Sequence, residues 1–386
     1  MAAGATLLPA AGWPSAAVKK GLLPVSRQEK PLAIAMWDYS WILRHHRYGE
    51  FENWDRVLEG LAERGYNAIR MDAMPQYVAA DTDGTVEAEF RSVKDGWSPS
   101  IWGNDYTMSF RPREALLEFL PKCEKLGIRV GLATWFTNHG TNRKGIFLEE
   151  GGLARAWSET LNFLKKNDLL KNVLYVDVLN EYPNWHGYDW LKNELGKRQD
   201  DARKQLYNDF LSGTLRKLKS EFPDLDFFAS LDSGMDLKNI DLTGFDALDY
   251  HIWFDHRGGI PGLSQVSSRN QTLDFRKIYA DLMLFWKENR SDYVSWMKGR
   301  LGDISGAAAA NGIVCGNTEG WGPIFWLDHP ELDWGWVKES ADICIDLARQ
   351  HNTYKFLCSS NFTHPQFRGI WEDIKWHRRT TEKIKS

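Results

Sequence analysis

The stretch VLYVDVLNE, residues 173–181, decides how the chain folds. It is apolar on both faces apart from Asp177, and it ends in Asn180-Glu181 just before Pro183 stops the strand. A strand of that kind belongs to a parallel sheet covered by helices, where both pleat faces are packed. Similar runs recur along the chain: LAIAMW (32–37), NAIRMD (67–72), IRVGLATW (128–135), DFFASLD (226–232), ALDYHIW (247–253), GIVCGNTE (312–319) and YKFLCSSN (354–361). Helical patterns separate them. One is capped by Asn53 and stopped by Gly65, others cover 113–126, 200–220 and 336–350, and a closing helix starts near Pro365. Eight strands in this alternation predict an α/β protein, a single (β/α)8 TIM barrel over residues 31–386. An open sheet of six or seven strands is the structural alternative. Long insertions follow strands two, four, six and seven, and in a barrel these are loops of the C-terminal face. Residues 1–30, rich in Ala, Gly and Pro, read as a poorly ordered N-terminal leader.

Composition narrows the function. The 386 residues carry a formal net charge of −4 with no extended basic run, which argues against nucleic acid or an anionic membrane as partner. No apolar run approaches the ~20 residues that span a bilayer. Cys123, Cys315, Cys344 and Cys358 form no C-x-x-C pair, and Cys315 and Cys358, in strand-like apolar runs, read as reduced, buried thiols. A cytoplasmic location is expected, with a secreted or periplasmic protein that has lost its signal as the alternative. No G-x-G-x-x-G follows the first strand and no phosphate-binding P-loop occurs, so no nucleotide is expected. The chain has 19 tryptophans, several in apparent loops beside carboxylates, including Trp97, Trp102, Trp185, Trp190, Trp321 and Trp334. Indole rings pack on the C–H faces of sugars and donate to hydroxyls.

The strand ends are polar. Glu181 closes the fourth and Glu319 the seventh, and Asp38, Arg70, Asp72, Asn138, His139, His251 and Asn361 end or follow the others. Any one such carboxylate commonly caps a loop. Two glutamates over one barrel mouth, with Arg70 and His251 between them, are the equipment of glycosidic bond cleavage. One carboxylic acid protonates the departing oxygen, and the other carboxylate meets the positive charge at the anomeric carbon. Apolar neighbours such as Tyr182 and Trp185 would favour a neutral Glu181, and Arg70 would keep Glu319 ionised.

These segments resemble a known group. GYNAIRMD on strand two, LNEYPNW on strand four, DYHIW on strand six and TEGWG on strand seven look like clan A glycoside hydrolases. These are the retaining (β/α)8 group that includes the cellulase and mannanase family, and the chain most resembles its cellulase-like branch. The resemblance implies Glu181 as acid/base and Glu319 as nucleophile. Asn180 would bond the sugar 2-hydroxyl and Arg70 would orient the nucleophile. It implies a β-linked oligosaccharide or glycoside as substrate and no cofactor. Asp38, Trp135, Asn138, His139, Trp185, His251, Trp253, Trp321 and Asn361 complete the candidate binding residues. Two departures stand out. The strand-six His-x-Tyr of the clan is here His251-Ile252-Trp253, and its strand-eight Trp is replaced by Ser360-Asn361-Phe362. Phe362 or a loop Trp would then floor the sugar site. A metal-dependent barrel hydrolase using His45, His46, His139 and His251 is an alternative, and so is a non-catalytic sugar-binding barrel. The sugar, the mode of attack along the chain and the oligomeric state are not legible.

Overall fold

The structure, a computed structural model, describes residues 23–92, 104, 107–135, 143–182, 200–232, 236–257, 275–323 and 328–386. Eight parallel strands form the barrel: β1 (Leu32–Met36), β2 (Ala68–Asp72), β3 (Arg129–Ala133), β4 (Val173–Asp177), β5 (Phe227–Phe228), β6 (Ala247–Asp249), β7 (Val314–Asn317) and β8 (Tyr354–Cys358). The ladder runs β5-β4-β3-β2-β1-β8-β7-β6. A parallel bridge between Leu231 and Tyr250 joins its two ends. The fold is the (β/α)8 barrel expected.

Helices cover the outside: α1 (Trp54–Glu63), α2 (Pro112–Lys125), α3 (Gly152–Lys166), α4 (Asp200–Glu221), α5 (Phe275–Ala310), α6 (Gly335–Ala348) and α7 (Ile374–Lys385). In α1, Asn53 accepts from the Arg56 N–H at 3.0 Å, and Trp54, Val57, Leu58 and Leu61 form the buried stripe. Helix α5 follows β6, a segment read only as an insertion from the sequence. Among the described residues the β5–β6 connection carries only a 3-10 turn, Leu237–Asn239. Near the N-terminus, Val25 is buried and the Ser26 hydroxyl donates to Asp226 at 2.9 Å.

Aromatic rings fill the barrel interior. Tyr175, Phe228 and Phe356 meet with centroids 4.9–6.1 Å apart. Glycine on the neighbouring strands makes the room: a Cβ on Gly131 would lie 2.2 Å from the Tyr175 ring, and one on Gly316 would lie 2.2 Å from Phe356. This packed layer is the floor on which the polar residues of the mouth rest.

The strands are shorter than the apolar runs suggest. The β4 ladder stops at Asp177. Val178 and Tyr182 still bond to Phe228 and Ser230 of the next run at 2.8 and 2.9 Å, while Asn180 bonds back to Thr134 at 3.0 Å. That double attachment turns the chain across the mouth, so Glu181 sits in a turn above the barrel and not within the strand.

Candidate active site

Arg70 is the organising group. It points inward from β2, fully buried, and its guanidinium reaches three other strands. Nη1 donates to Asp38 Oδ1 and to Glu319 Oε1, both at 2.7 Å. Nη2 donates to Asp177 Oδ2 at 3.2 Å and to the Asn180 side-chain carbonyl. The surrounding carboxylates hold Arg70 charged against the opposing effect of burial.

His251 is the second centre. Its Nδ1 lies 3.0 Å from Glu181 Oε1 and 3.6 Å from Glu319 Oε1. Its Nε2 lies 3.3 Å from Thr318 Oγ1 and 3.6 Å from Asp249 Oδ2. Burial alone would depress the imidazole. The charges of Glu319 and Asp249, with hydrogen bonds to Asp249 and Glu181, outweigh it and hold His251 well above the usual histidine range. Asp249 moves the other way: despite burial, the His251 charge and the Thr318 hydroxyl hold it below the usual carboxylate range.

Among the described residues, the cations that face Asp38, Asp177, Asp249, Glu181 and Glu319 are Arg70 and His251. Burial drives Asp38 and Asp177 upward against the charge of Arg70. Burial also drives Glu319 well above its ordinary value; His251 and Arg70 oppose this, and Glu181 and Asp38 add to it. Asp72, whose oxygens accept from the Met74 and Trp135 N–H groups, is pushed up to about 7 by burial.

The structure brings together Asp38, Arg70, Trp135, Asn180, Glu181, His251 and Glu319. Trp135 is half-buried and its indole N–H donates to Asp38 Oδ2 at 2.8 Å. Asn361 accepts from the Gly320 N–H at 2.5 Å, next to Glu319. Trp253 and Trp321 are buried, and the Trp321 indole is tied to the Cys358 carbonyl at 2.8 Å. Phe362 is buried against Trp334 and Phe367, with centroids 4.9 Å away in each case, so it is not an open platform. Asn138, His139 and Trp185 lie outside the described residues, as do Trp97, Trp102 and Trp190. Asp177, Asp249, Thr318 and Ser230 were not singled out from the sequence. The signal for Asp249 was its i, i+2 spacing to His251, which puts both on one face of a strand.

One oxygen from each of Glu181 and Glu319 and a ring nitrogen of His251 lie within 4.8 Å of one another. Three such donors raise the question of a metal, and the surroundings do not suit one. Glu319 Oε1 is already 2.7 Å from a buried guanidinium, whose charge would oppose a second cation beside it. Of the other histidines proposed for metal chemistry, His45 stacks on Trp54 at 3.7 Å and bonds the Phe51 carbonyl. Among the described residues no helix is long and apolar enough to cross a membrane.

Residues 34–385 match a family described as sugar-binding cellulase-like. Among solved structures, the chain is similar to a candidate glycoside hydrolase from Parabacteroides distasonis (28% identity, TM-score 0.79, 93% of this chain and 94% of that one). It shares its fold with a glycoside hydrolase family 5 enzyme from Prevotella bryantii (12% identity, TM-score 0.55, 96% and 100% covered). The same holds for the cellulose synthase subunit Z of Clostridioides difficile (9% identity, TM-score 0.56, 92% and 100% covered). No curated protein matches the chain.

Proposed function

The chain belongs to the sugar-binding cellulase-like family, whose fold is that of a glycosidase, and from that membership we propose a retaining β-glycosidase with Glu181 as acid/base and Glu319 as nucleophile. The observation that carries the reading is the closeness of the two glutamates, with oxygens inside a 4.8 Å cluster. Retaining enzymes hold their carboxyl groups about 5–5.5 Å apart, whereas inverting enzymes need roughly 6.5–9.5 Å to admit a water. Glu319 is equipped to attack. Its Oε1 is held by Arg70, and its buried Oε2 takes no hydrogen bond among the described residues, leaving that oxygen for the anomeric carbon. Burial and the Arg70 contact pull Glu319 in opposite directions. The 2.7 Å contact to a permanently charged group favours the reactive anion, which leaves the acid role to Glu181.

In the first step the Glu181 proton goes to the departing glycosidic oxygen while Glu319 bonds to the anomeric carbon. In the second, Glu181 takes a proton from water, which displaces Glu319 and restores the β configuration. A β-linked oligosaccharide or glycoside is the substrate class, and no step calls for a Lewis acid. The test compares two variants. Glu319→Ala should lose about a thousandfold or more on every substrate, since removing the base partner or nucleophile of such a pair costs orders of magnitude. Glu181→Ala should still be glycosylated by a dinitrophenyl glycoside, whose leaving group needs little protonation, and azide should restore turnover as a β-glycosyl azide. Equal loss in both variants with no azide rescue sinks the assignment.

A further inference from the structure

Behind His251 stands a pair of residues that the chemistry above does not use. Asp249 is two positions before His251, at the end of β6, and Thr318 immediately precedes the proposed nucleophile. The Thr318 hydroxyl donates to Asp249 Oδ2 at 2.6 Å, and the Thr318 N–H donates to Asp249 Oδ1 at 3.0 Å. All these groups are fully buried.

A proton inventory follows from those contacts. A hydroxyl has one proton, and at 2.6 Å against 3.3 Å that proton belongs to Asp249 and not to His251. Thr318 therefore shows Nε2 only lone pairs, and Asp249 at 3.6 Å does the same. A bare Nε2 would face acceptors alone, so it carries hydrogen. On the other side Nδ1 faces the oxygens of Glu181 and Glu319. Glu181 in its acid form could donate to a bare Nδ1, but the ionised Glu319 at 3.6 Å presents only negative charge, which a bare lone pair would repel. A neutral imidazole has a single N–H and cannot serve Asp249 and Glu319 together, whereas the imidazolium can. The charged groups around the ring come from every neighbouring strand end: Glu181 from β4, Glu319 from β7, Asp249 from β6, Asp38 from β1 and Arg70 from β2.

We propose that Asp249 and Thr318 are positioning residues that keep both ring nitrogens of His251 protonated, so that its Nδ1–H directs the acid proton of Glu181 away from the ring and toward the leaving group. A neutral ring would instead offer Nδ1 as an acceptor and draw that proton inward, where it is useless. When Glu319 becomes an ester and Glu181 an anion, the same Nδ1–H stays on Glu181; no proton leaves the ring. The Glu319 oxygen, at 3.6 Å against 3.0 Å, lies beyond hydrogen-bond reach and meets only the charge of the ring.

The inference rests on the glycosidase reading, and the experiment separates the two. The full chain is labelled with 15N-histidine, and the His251 resonances are identified by their loss in His251→Gln. Without substrate at pH 7, both His251 nitrogens should have the shifts of protonated nitrogens. In Asp249→Asn and Thr318→Val one should move to the unprotonated range, and Thr318→Ser should restore the wild-type pattern. Kinetically, Asp249→Asn should lower kcat about a hundredfold on glycosides with poor leaving groups, the scale of a misplaced catalytic group, with KM little changed. On dinitrophenyl glycosides the loss should be only a few-fold, because the acid is not needed. A wild-type ring with one bare nitrogen at pH 7 overturns the proposal without any variant. So does a loss of activity in Asp249→Asn that is equal for good and poor leaving groups. An inactive protein with an intact imidazolium would instead count against the glycosidase reading alone.

Discussion

Arg70→Lys keeps the charge of the buried centre and removes its shape, so it separates the two. The guanidinium uses two nitrogens to hold Asp38 and Glu319 on one side and Asp177 and Asn180 on the other. A lysine ammonium is one nitrogen and can stand on one side only. Two hydrogen bonds to buried partners are forfeited. At roughly 1.5–3 kcal/mol for a bond to a charged group, the gross loss is about 3–6 kcal/mol. Against a total stability of about 5–15 kcal/mol the variant should fold but be visibly weakened. Activity should suffer through Glu319. If the ammonium settles toward Asp177, Glu319 loses the cation that favours its anion; if it settles toward Glu319, Asn180 and the turn carrying Glu181 lose their anchor. Either way kcat/KM should fall about 10²–10³-fold, some 2.7–4 kcal/mol of transition-state stabilisation. Urea unfolding followed by the fluorescence of the 19 tryptophans gives the first number, and initial rates on an aryl β-glycoside give the second. Stability within about 1 kcal/mol of wild type together with kcat/KM within about threefold would show that Arg70 contributes only charge.

Two further outcomes are expected. Trp135→Phe removes the indole donor from Asp38 Oδ2, a bond of 2.8 Å, and should cost about 1.5–3 kcal/mol in urea unfolding; a change under about 0.5 kcal/mol refutes the role. His377 is held neutral, its value lowered from 6.5 to about 3 chiefly by burial, with Tyr66 donating to Nδ1 and Nε2 facing the Ile370 carbonyl. The unfolded chain takes up a proton near 6.5 that the native state refuses, so stability falls with pH between 6.5 and 3, by on the order of 5 kcal/mol from this group. Asp72, raised to about 7, has the opposite sign, since its native proton is lost as pH rises. The check is therefore a difference: His377→Gln should be less stable than wild type at pH 7 and lose less on acidification, and a gap that is the same at pH 7 and pH 4 contradicts the linkage.

What the sequence could say followed from periodicity. Runs apolar on both faces, spaced by amphipathic helices, specify a parallel barrel, and polar residues at the ends of such runs can only lie at its mouth. Arg70 and Glu319 were therefore legible as neighbours. Asp177 and Asp249 were not, because an all-apolar strand does not tell which face is the lumen, and a buried Asp among valines gives no sign of its partner. Helix α5 was hidden by its own break: Asn289 leaves helical geometry at φ −116°, which interrupts the 3.6-residue repeat. The strand-six His-x-Tyr of the clan is His251-Ile252-Trp253 here, so the tyrosine is absent. In the structure His251 stands between the glutamates, and ring orientation of that kind depends on Thr318 and Asp249, which only the fold brings beside it.

The backbone itself marks where chemistry overrides local preference. Six described residues other than glycine have positive φ, and four of them lie just beyond barrel strands: Asp38 (φ 38°), Met74 (51°), Glu181 (50°) and Trp321 (80°). Each costs on the order of 1 kcal/mol that a glycine would not. A turn needing only that geometry would be served by glycine, as Gly65 and Gly127 serve the ends of α1 and α2 at φ 85° and 69°. At the mouth the strained residues are instead tied down. The Glu181 N–H donates to Ser230 Oγ at 3.0 Å, the Asp38 N–H to the Arg70 carbonyl at 3.2 Å, and the Trp321 N–H to the Ile252 carbonyl at 3.3 Å. Met74 is fixed by its N–H on Asp72 at 2.7 Å. Strain concentrated at one end of the barrel, carried by two carboxylates of the Arg70–His251 cluster and by the buried Met74 and Trp321, is what results when the side chain at a turn cannot be given up.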